Sequence, residues 1–128
     1  MPSNCNGCKP TAFRPERNSF EAVLNAWSAA KSEGNMNRLL GFYAPDFQSY
    51  KKKPLSEWAT VLQTESQALK GRPVHLKDKA YLRWTDSADT MVVTFGEVAE
   101  GARTGPIKRQ YWTRRGQQWQ IFFEGVIG

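Results

Sequence analysis

The sequence is poor in the residues that staple or metallate a small protein: among 128 residues there are two cysteines and one histidine. Cys5 and Cys8 both fall in the first eight positions, so they cannot staple a fold, and they leave the redox compartment open. Their spacing is that of half a zinc site or a redox pair. The other half is missing, because the only further Cys or His is His75, and a tetrahedral structural zinc needs four ligands. Lys9 stands after the second cysteine where covalent haem attachment wants histidine. No metal and no cofactor is therefore expected. Apolar runs are short as well: none approaches the roughly 18 residues of a membrane span, and Met1 to Phe20 lacks the apolar stretch of a secretory signal. On this reading a full-length chain belongs in the cytoplasm, and a chain excised from an exported protein belongs in the periplasm. No serine or cysteine nucleophile has a neighbouring base, and Gly101 to Pro106 has the look of a hairpin loop without phosphate-loop spacing.

What is present is the composition of one globular domain, with 40% hydrophobic and 23% charged residues and ten glycines. Eighteen Lys and Arg against twelve Asp and Glu give a net charge of +6, which steers anionic partners without naming one. The cations cluster at Lys51, Lys52 and Lys53 and again across Arg103, Lys108, Arg109, Arg114 and Arg115. Scattered positive charge mostly serves solubility. Lys51, Lys52, Lys53, Lys108 and Arg109 are the candidates for an anionic partner, and nothing in their pattern specifies nucleic acid.

Hydrophobic spacing divides the chain into helices followed by strands. Asn18 can cap a helix with Glu21 three residues on, and Phe20, Val23, Leu24, Trp27 and Ala30 recur at helical spacing up to Gly34. Asn35 can cap a second helix with the stripe Met36, Leu39, Leu40 and Tyr43, which Pro45 stops. Leu55, Trp58, Leu62 and Leu69 mark a third, from about Leu55 to Lys70. Beyond Pro73 the period becomes two, and the runs Val74 to Trp84, Thr90 to Ala99, Ile107 to Arg115 and Trp119 to Val126 read as strands. The expected architecture is α+β: three helices packed on one face of an antiparallel meander of about four strands. Positions 1–17, crowded with Pro, Asn, Gly and Cys, read as a flexible tail, and 18–128 as a single domain. Trp27, Leu39, Tyr43, Phe47 and Trp58 should be largely buried.

The series Phe20, Trp27, Asn35, Leu39, Tyr43, Asp46-Phe47, Trp58, Phe95, Lys108, Tyr111-Trp112, Arg114 and Trp119-x-Ile121-x-x-Glu124 resembles the nuclear transport factor 2-like (SnoaL-like) superfamily. Within it, the pattern is most similar to the accessory domain at the carboxyl end of bacterial L,D-transpeptidases, which cross-link peptidoglycan. The resemblance covers about Asn18 to Glu124 and is built mainly of packing residues. Leu62 departs from it, standing where an arginine is expected one turn after Trp58, and no transpeptidase domain precedes the chain as given. The resemblance implies a cone, in which a strongly curved sheet wraps the long helix around a cavity. Relatives use that cavity for steroid isomerisation, polyketide cyclisation, dehydration or protein binding, so the fold does not choose the function.

Glu97 and Glu124 are the carboxylates embedded among apolar strand residues. Buried, either can act as acid or base; the plainer reading is an ion pair with Lys108 or Arg109 on the next strand, favoured for Glu124. Tyr43, Tyr50, Trp58 and Tyr111 join them as pocket candidates, against the simpler role of aromatic core. His75 shares strand parity with Lys77, Lys79 and Arg83, a solvated pattern unsuited to a base. The steroid-isomerase branch keeps its general base a few residues after the second helix, and Gln48-Ser49-Tyr50-Lys51 offers no carboxylate there. No catalytic residue is assigned. The expectation is a non-catalytic module that binds a small ligand, a peptidoglycan fragment or a protein; the alternative is an enzyme of the cyclase or isomerase type using Glu97 with Tyr43 or Tyr111. Large apolar residues on both strand parities point to a homodimer through the sheet.

Overall fold

The computed structural model describes residues 13–83 and 89–128. The elements run α1 (Phe13–Glu33), α2 (Met36–Gly41), β1 (Tyr43–Ser49), α3 (Leu55–Leu69), β2 (Val74–Arg83), β3 (Thr90–Ala99), β4 (Ile107–Arg115) and β5 (Gln118–Val126). The strands form one curved, unclosed sheet in the order β1-β5-β4-β3-β2, against which the three helices pack. β2 to β5 make the expected antiparallel meander. Cys5 and Cys8 lie outside the described residues.

The sheet has five strands, not about four. The Tyr43-Ala44-Pro45-Asp46-Phe47 segment, read as helix end and turn, is strand β1, paired parallel to β5 through Tyr43↔Ile121 and Ser49↔Glu124. Two things hide it in the sequence. Proline cannot donate to a ladder, but β1 is an edge strand with a register shift between Tyr43 and Gln48, where a missing donor is tolerated. The ladder also captures the chain directly after α2, since Ile121 N–H donates to the Phe42 carbonyl at 2.7 Å. Helix α2 therefore stops at Gly41, and Tyr43 points into the core from a strand. Asn35 caps α2 as expected, its side chain accepting from Arg38 N–H. Asn18 is not a cap, because α1 already begins at Phe13.

Helix α1 lies along the inner face of the sheet and buries Phe20, Leu24, Trp27 and Ala30 completely. Leu39, Phe47, Trp58 and Leu62 close the core from α2, β1 and α3, while Val93, Phe95, Trp112 and Ile121 supply the sheet side. Most of the aromatic pairs meet edge to face, for example Phe20 with Trp112 at 5.4 Å and Trp27 with Phe95 at 5.7 Å. The five residues expected to be buried are all at most 4% exposed. At the β4–β5 turn Arg115 pairs with Gln118, which leaves a two-residue loop, and Gly116 takes the positive φ of 65° that such a turn requires.

Candidate functional site

Strand alternation turns Glu97 on β3, Lys108 and Gln110 on β4, and Glu124 on β5 to the inner face, opposite the helices. These polar residues form two clusters, one deep in the cone and one at its open end.

The deep cluster surrounds Glu124, which is fully buried. Its Oε1 accepts from the Tyr43 hydroxyl at 2.7 Å and the Trp58 indole at 2.9 Å, and its Oε2 accepts from the Gln110 amide at 2.7 Å. The donors are themselves held in place: Trp27 Nε1 donates to the Tyr43 oxygen, and Trp112 Nε1 donates to Gln110 Oε1. All three partners of Glu124 donate, so the cage fits a carboxylate, which accepts at both oxygens. Burial, and then the adjacent Glu124 charge, push the Tyr43 hydroxyl well above its ordinary pKa of 10.0, keeping its proton on the shared bond. The expected ion pair of Glu124 with Lys108 or Arg109 does not form as a contact; neutral donors occupy both oxygens.

The ion pair belongs to Glu97 instead. Lys31 from α1 reaches Glu97 at 3.0 Å and Glu65 of α3 at 2.6 Å, and Lys108 reaches the same two carboxylates at 2.8 Å each. Lys31, Lys108 and Glu97 are nearly sealed, whereas the Glu65 side chain keeps 33% of its exposure. Burial alone would raise the Glu97 carboxyl, but the two ammonium groups outweigh it and hold it down at about 2. Burial likewise opposes the charge on Lys108, and the carboxylates of Glu97, Glu124 and Glu65 overcome it, raising Lys108 above its ordinary range. Glu97 thus faces neither a closed apolar cavity nor bulk solvent. It forms the floor of an open cavity of about 230 Å³ between the end of α3, the start of β2 and the β3–β4 loop. Gly105 lets that loop approach, for a Cβ there would stand 1.9 Å from the Glu97 carbonyl oxygen.

The remaining candidates are dispersed. Tyr50 is 42% exposed, sits edge-on to Trp58 at 6.3 Å, and has the Lys51 ammonium over its ring. Tyr111 lies on the opposite face of the sheet, in a group with Phe122 and Phe123. Tyr43 donates to Glu124, not to Glu97, so the hydrogen-bond donors weighed for a Glu97-based enzyme are not beside it. Lys108 is fully buried and cannot serve as a surface cation, which leaves Arg109 exposed on that strand. Lys51 to Lys53 form a turn knit by Ser49, whose Oγ accepts from the N–H of Lys51 and of Lys53. His75 is exposed on β2 and lines a separate cavity of about 370 Å³ between β2 and α1. Lys31 and Glu65 were not anticipated.

A long helix wrapped by a curved mixed sheet, with a polar inner strip, defines an NTF2-like α+β domain. More narrowly, the chain belongs to the Cds6 C-terminal NTF2-like domain family, which matches residues 19–125. No curated protein matches the sequence. Among solved structures it is similar to Bd1075 of Bdellovibrio bacteriovorus, with a TM-score of 0.74 and 14% identity over 92% of this chain and 42% of that one. It is also similar to the helical cell shape determining protein Pgp2 of Campylobacter jejuni, with a TM-score of 0.65 and 15% identity over 85% of this chain and 40% of that one. A Nostoc punctiforme protein of unknown function with a cystatin-like fold gives a TM-score of 0.65 and 9% identity, over 88% and 90% of the two chains. The chain thus spans about two fifths of the length of the first two.

Proposed function

We propose that this domain is a non-catalytic binding module acting alongside cell-wall chemistry, and that it takes its ligand at the open end of the cone. The observation that carries the reading is that the interior carboxylates are already spent. Glu124 receives three donors, and Glu97 is held by two ammonium groups at a pKa of about 2. A general base must reach a substrate proton with a pKa near the working pH; Glu97 is held far below it, and both Glu124 oxygens are already occupied by donors. The cell-wall setting is supported by the resemblance to transpeptidase accessory domains and by the similarity to a protein described as determining helical cell shape.

The test is retention on purified peptidoglycan across a salt series. Retention at low salt is expected, and none at any salt would remove the wall-binding reading. Turnover of a small carbonyl substrate that vanishes in Glu97→Gln would replace it with the cyclase or isomerase reading. A second copy of the chain is the protein partner we propose, docking on the outer sheet face around Tyr111, Phe122 and Phe123, near the exposed Ile107. Sedimentation equilibrium should give a dimer at micromolar concentration, and Tyr111→Lys should give a monomer.

A further inference from the structure

We infer that the cavity at the open end of the cone is a receptor for a primary ammonium group on a short aliphatic chain, with Glu65 as its anionic contact. The inference rests on the binding-module reading and names the chemical class that the module takes.

Lys31 and Lys108 match Glu65 and Glu97 two charges to two, so the cluster stands without a ligand, and what it leaves is unused hydrogen-bonding capacity on one carboxylate. Lys31 already donates to Glu65 Oε1 and to both oxygens of Glu97. Lys108 meets Glu65 Oε1 and Glu97 Oε1 at 2.8 Å each and is fully buried. Glu65 Oε1 therefore takes both ammonium groups, while its Oε2 has no hydrogen-bond or ion-pair partner among the described residues, and Glu65 is the one member of the four that stays a third exposed.

The walls select the rest of the ligand. Ala68, Leu69, Val74, Ala99, Ala102 and Pro106 line the cavity with small aliphatic surface and no aromatic ring, in a volume of about 230 Å³. That suits a chain of a few methylenes and gives a flat ring nothing to stack on. A carboxylate entering the same space would meet the Glu65 and Glu97 oxygens, and the Lys31 ammonium that also lines it already donates to both. The amine of a diamino-acid side chain and a free alkylamine both carry this chemistry.

The experiment is an NMR titration of the folded protein with n-pentylammonium, and in parallel with pentanoate and pentan-1-ol, following the backbone amides of Ala99, Ala102 and Thr104. A peptide ending in a lysine side chain forms a further arm and distinguishes a peptide amine from a free one. Saturable shifts in the millimolar range are expected for pentylammonium, with at least a tenfold weaker response for pentanoate. Glu65→Gln should weaken pentylammonium at least tenfold. Should that variant fold poorly, Ala102→Phe, at an exposed loop position, should block the cavity with the fold intact. Absence of a saturable response to the amine, equal binding of pentanoate, or indifference to both variants would overturn the site. Peptidoglycan retention with no amine response removes the ammonium receptor and leaves the module standing; amine binding together with Glu97-dependent carbonyl turnover does the reverse.

Discussion

Glu97 and Glu124 project from the same face of one sheet, on β3 and β5, and their charges are accommodated in opposite ways. At the open end of the cone Glu97 is matched by full positive charges, with Lys31 and Lys108 bridging it to Glu65. Deep in the cone Glu124 meets only neutral dipoles, three donors fixed by two tryptophans. Ion pairing of the kind that holds Glu97 is costly to assemble because both partners lose water, and it fails sharply when one partner goes. A dipole cage loses less per donor, since the other donors remain. Both arrangements leave the carboxylates without free capacity, which is why the inner strip reads as framework and the half-exposed Glu65 as the place where a ligand can enter.

The comparison breaks most visibly at Lys108. Lys108→Ala should cost about 3–5 kcal/mol, because it strands Glu97 in a site that is 8% exposed with one ammonium in place of two. Urea denaturation measures it. Combining Lys108→Met with Glu97→Gln should recover most of the loss, since a neutral pair needs no compensation. A loss below about 1 kcal/mol in Lys108→Ala would mean that charge matching is not what holds this end together.

Acid should separate the two clusters next. Glu97 has an ordinary pKa of 4.5 and is held near 2 in the fold, so its ionisation stabilises the protein fully above pH 4.5. That stability is lost as the pH falls from about 4.5 to about 2, and the loss from this group is about 3 kcal/mol. Thermal melts across that range should show the decline, and Glu97→Gln should flatten it. An equally steep decline in Glu97→Gln would assign the effect to other carboxyls, with Glu65 and Asp46 the first to consider because both are also held low.

Tyr43→Phe addresses the deep cage. It removes one of three donors from Glu124 and leaves Trp27 Nε1 without its acceptor, both fully buried. The expected cost is about 1–3 kcal/mol, below that of Lys108→Ala. A larger cost than Lys108→Ala would reverse the ranking of the two arrangements.

Much of this was legible in the residue pattern, and what was not has particular causes. The three helices and the four-strand meander follow from apolar spacing. Strand β1 was obscured by Pro45 and Asp46, which local propensity assigns to a turn and which only the edge position beside β5 makes acceptable. Glu97 and Glu124 stood out as carboxylates among apolar strand residues, but which cation each would meet depends on helices far away in sequence. Lys31 and Glu65 carried a readable signal. Phe20, Leu24, Trp27 and Lys31 share one stripe of α1, and Trp58, Leu62, Glu65 and Leu69 share one stripe of α3, so each charge occupies a position where the period asks for an apolar residue. Lys108 has the parity of Trp112, a fully buried aromatic of β4, and that parity places it inside.

The smallest effect on folding is expected outside the cone, at the lysine turn. Lys51 and Lys52 are exposed, and the turn is held by the Ser49 hydroxyl and by Ser49 N–H donating to the Lys53 carbonyl, bonds that any side chain permits. Lys51, Lys52 and Lys53→Gln together should therefore change stability by no more than about 0.5 kcal/mol. Binding is where the variant should differ. Exposed cations act on an anionic polymer through a field that decays over about 10 Å in 0.1 M salt, so wild-type retention on peptidoglycan should fall as salt rises. The triple variant should be retained less at low salt and converge with wild type at high salt. Coincident curves at every salt concentration would remove these lysines from the contact and move attention to Arg109, an exposed cation of β4.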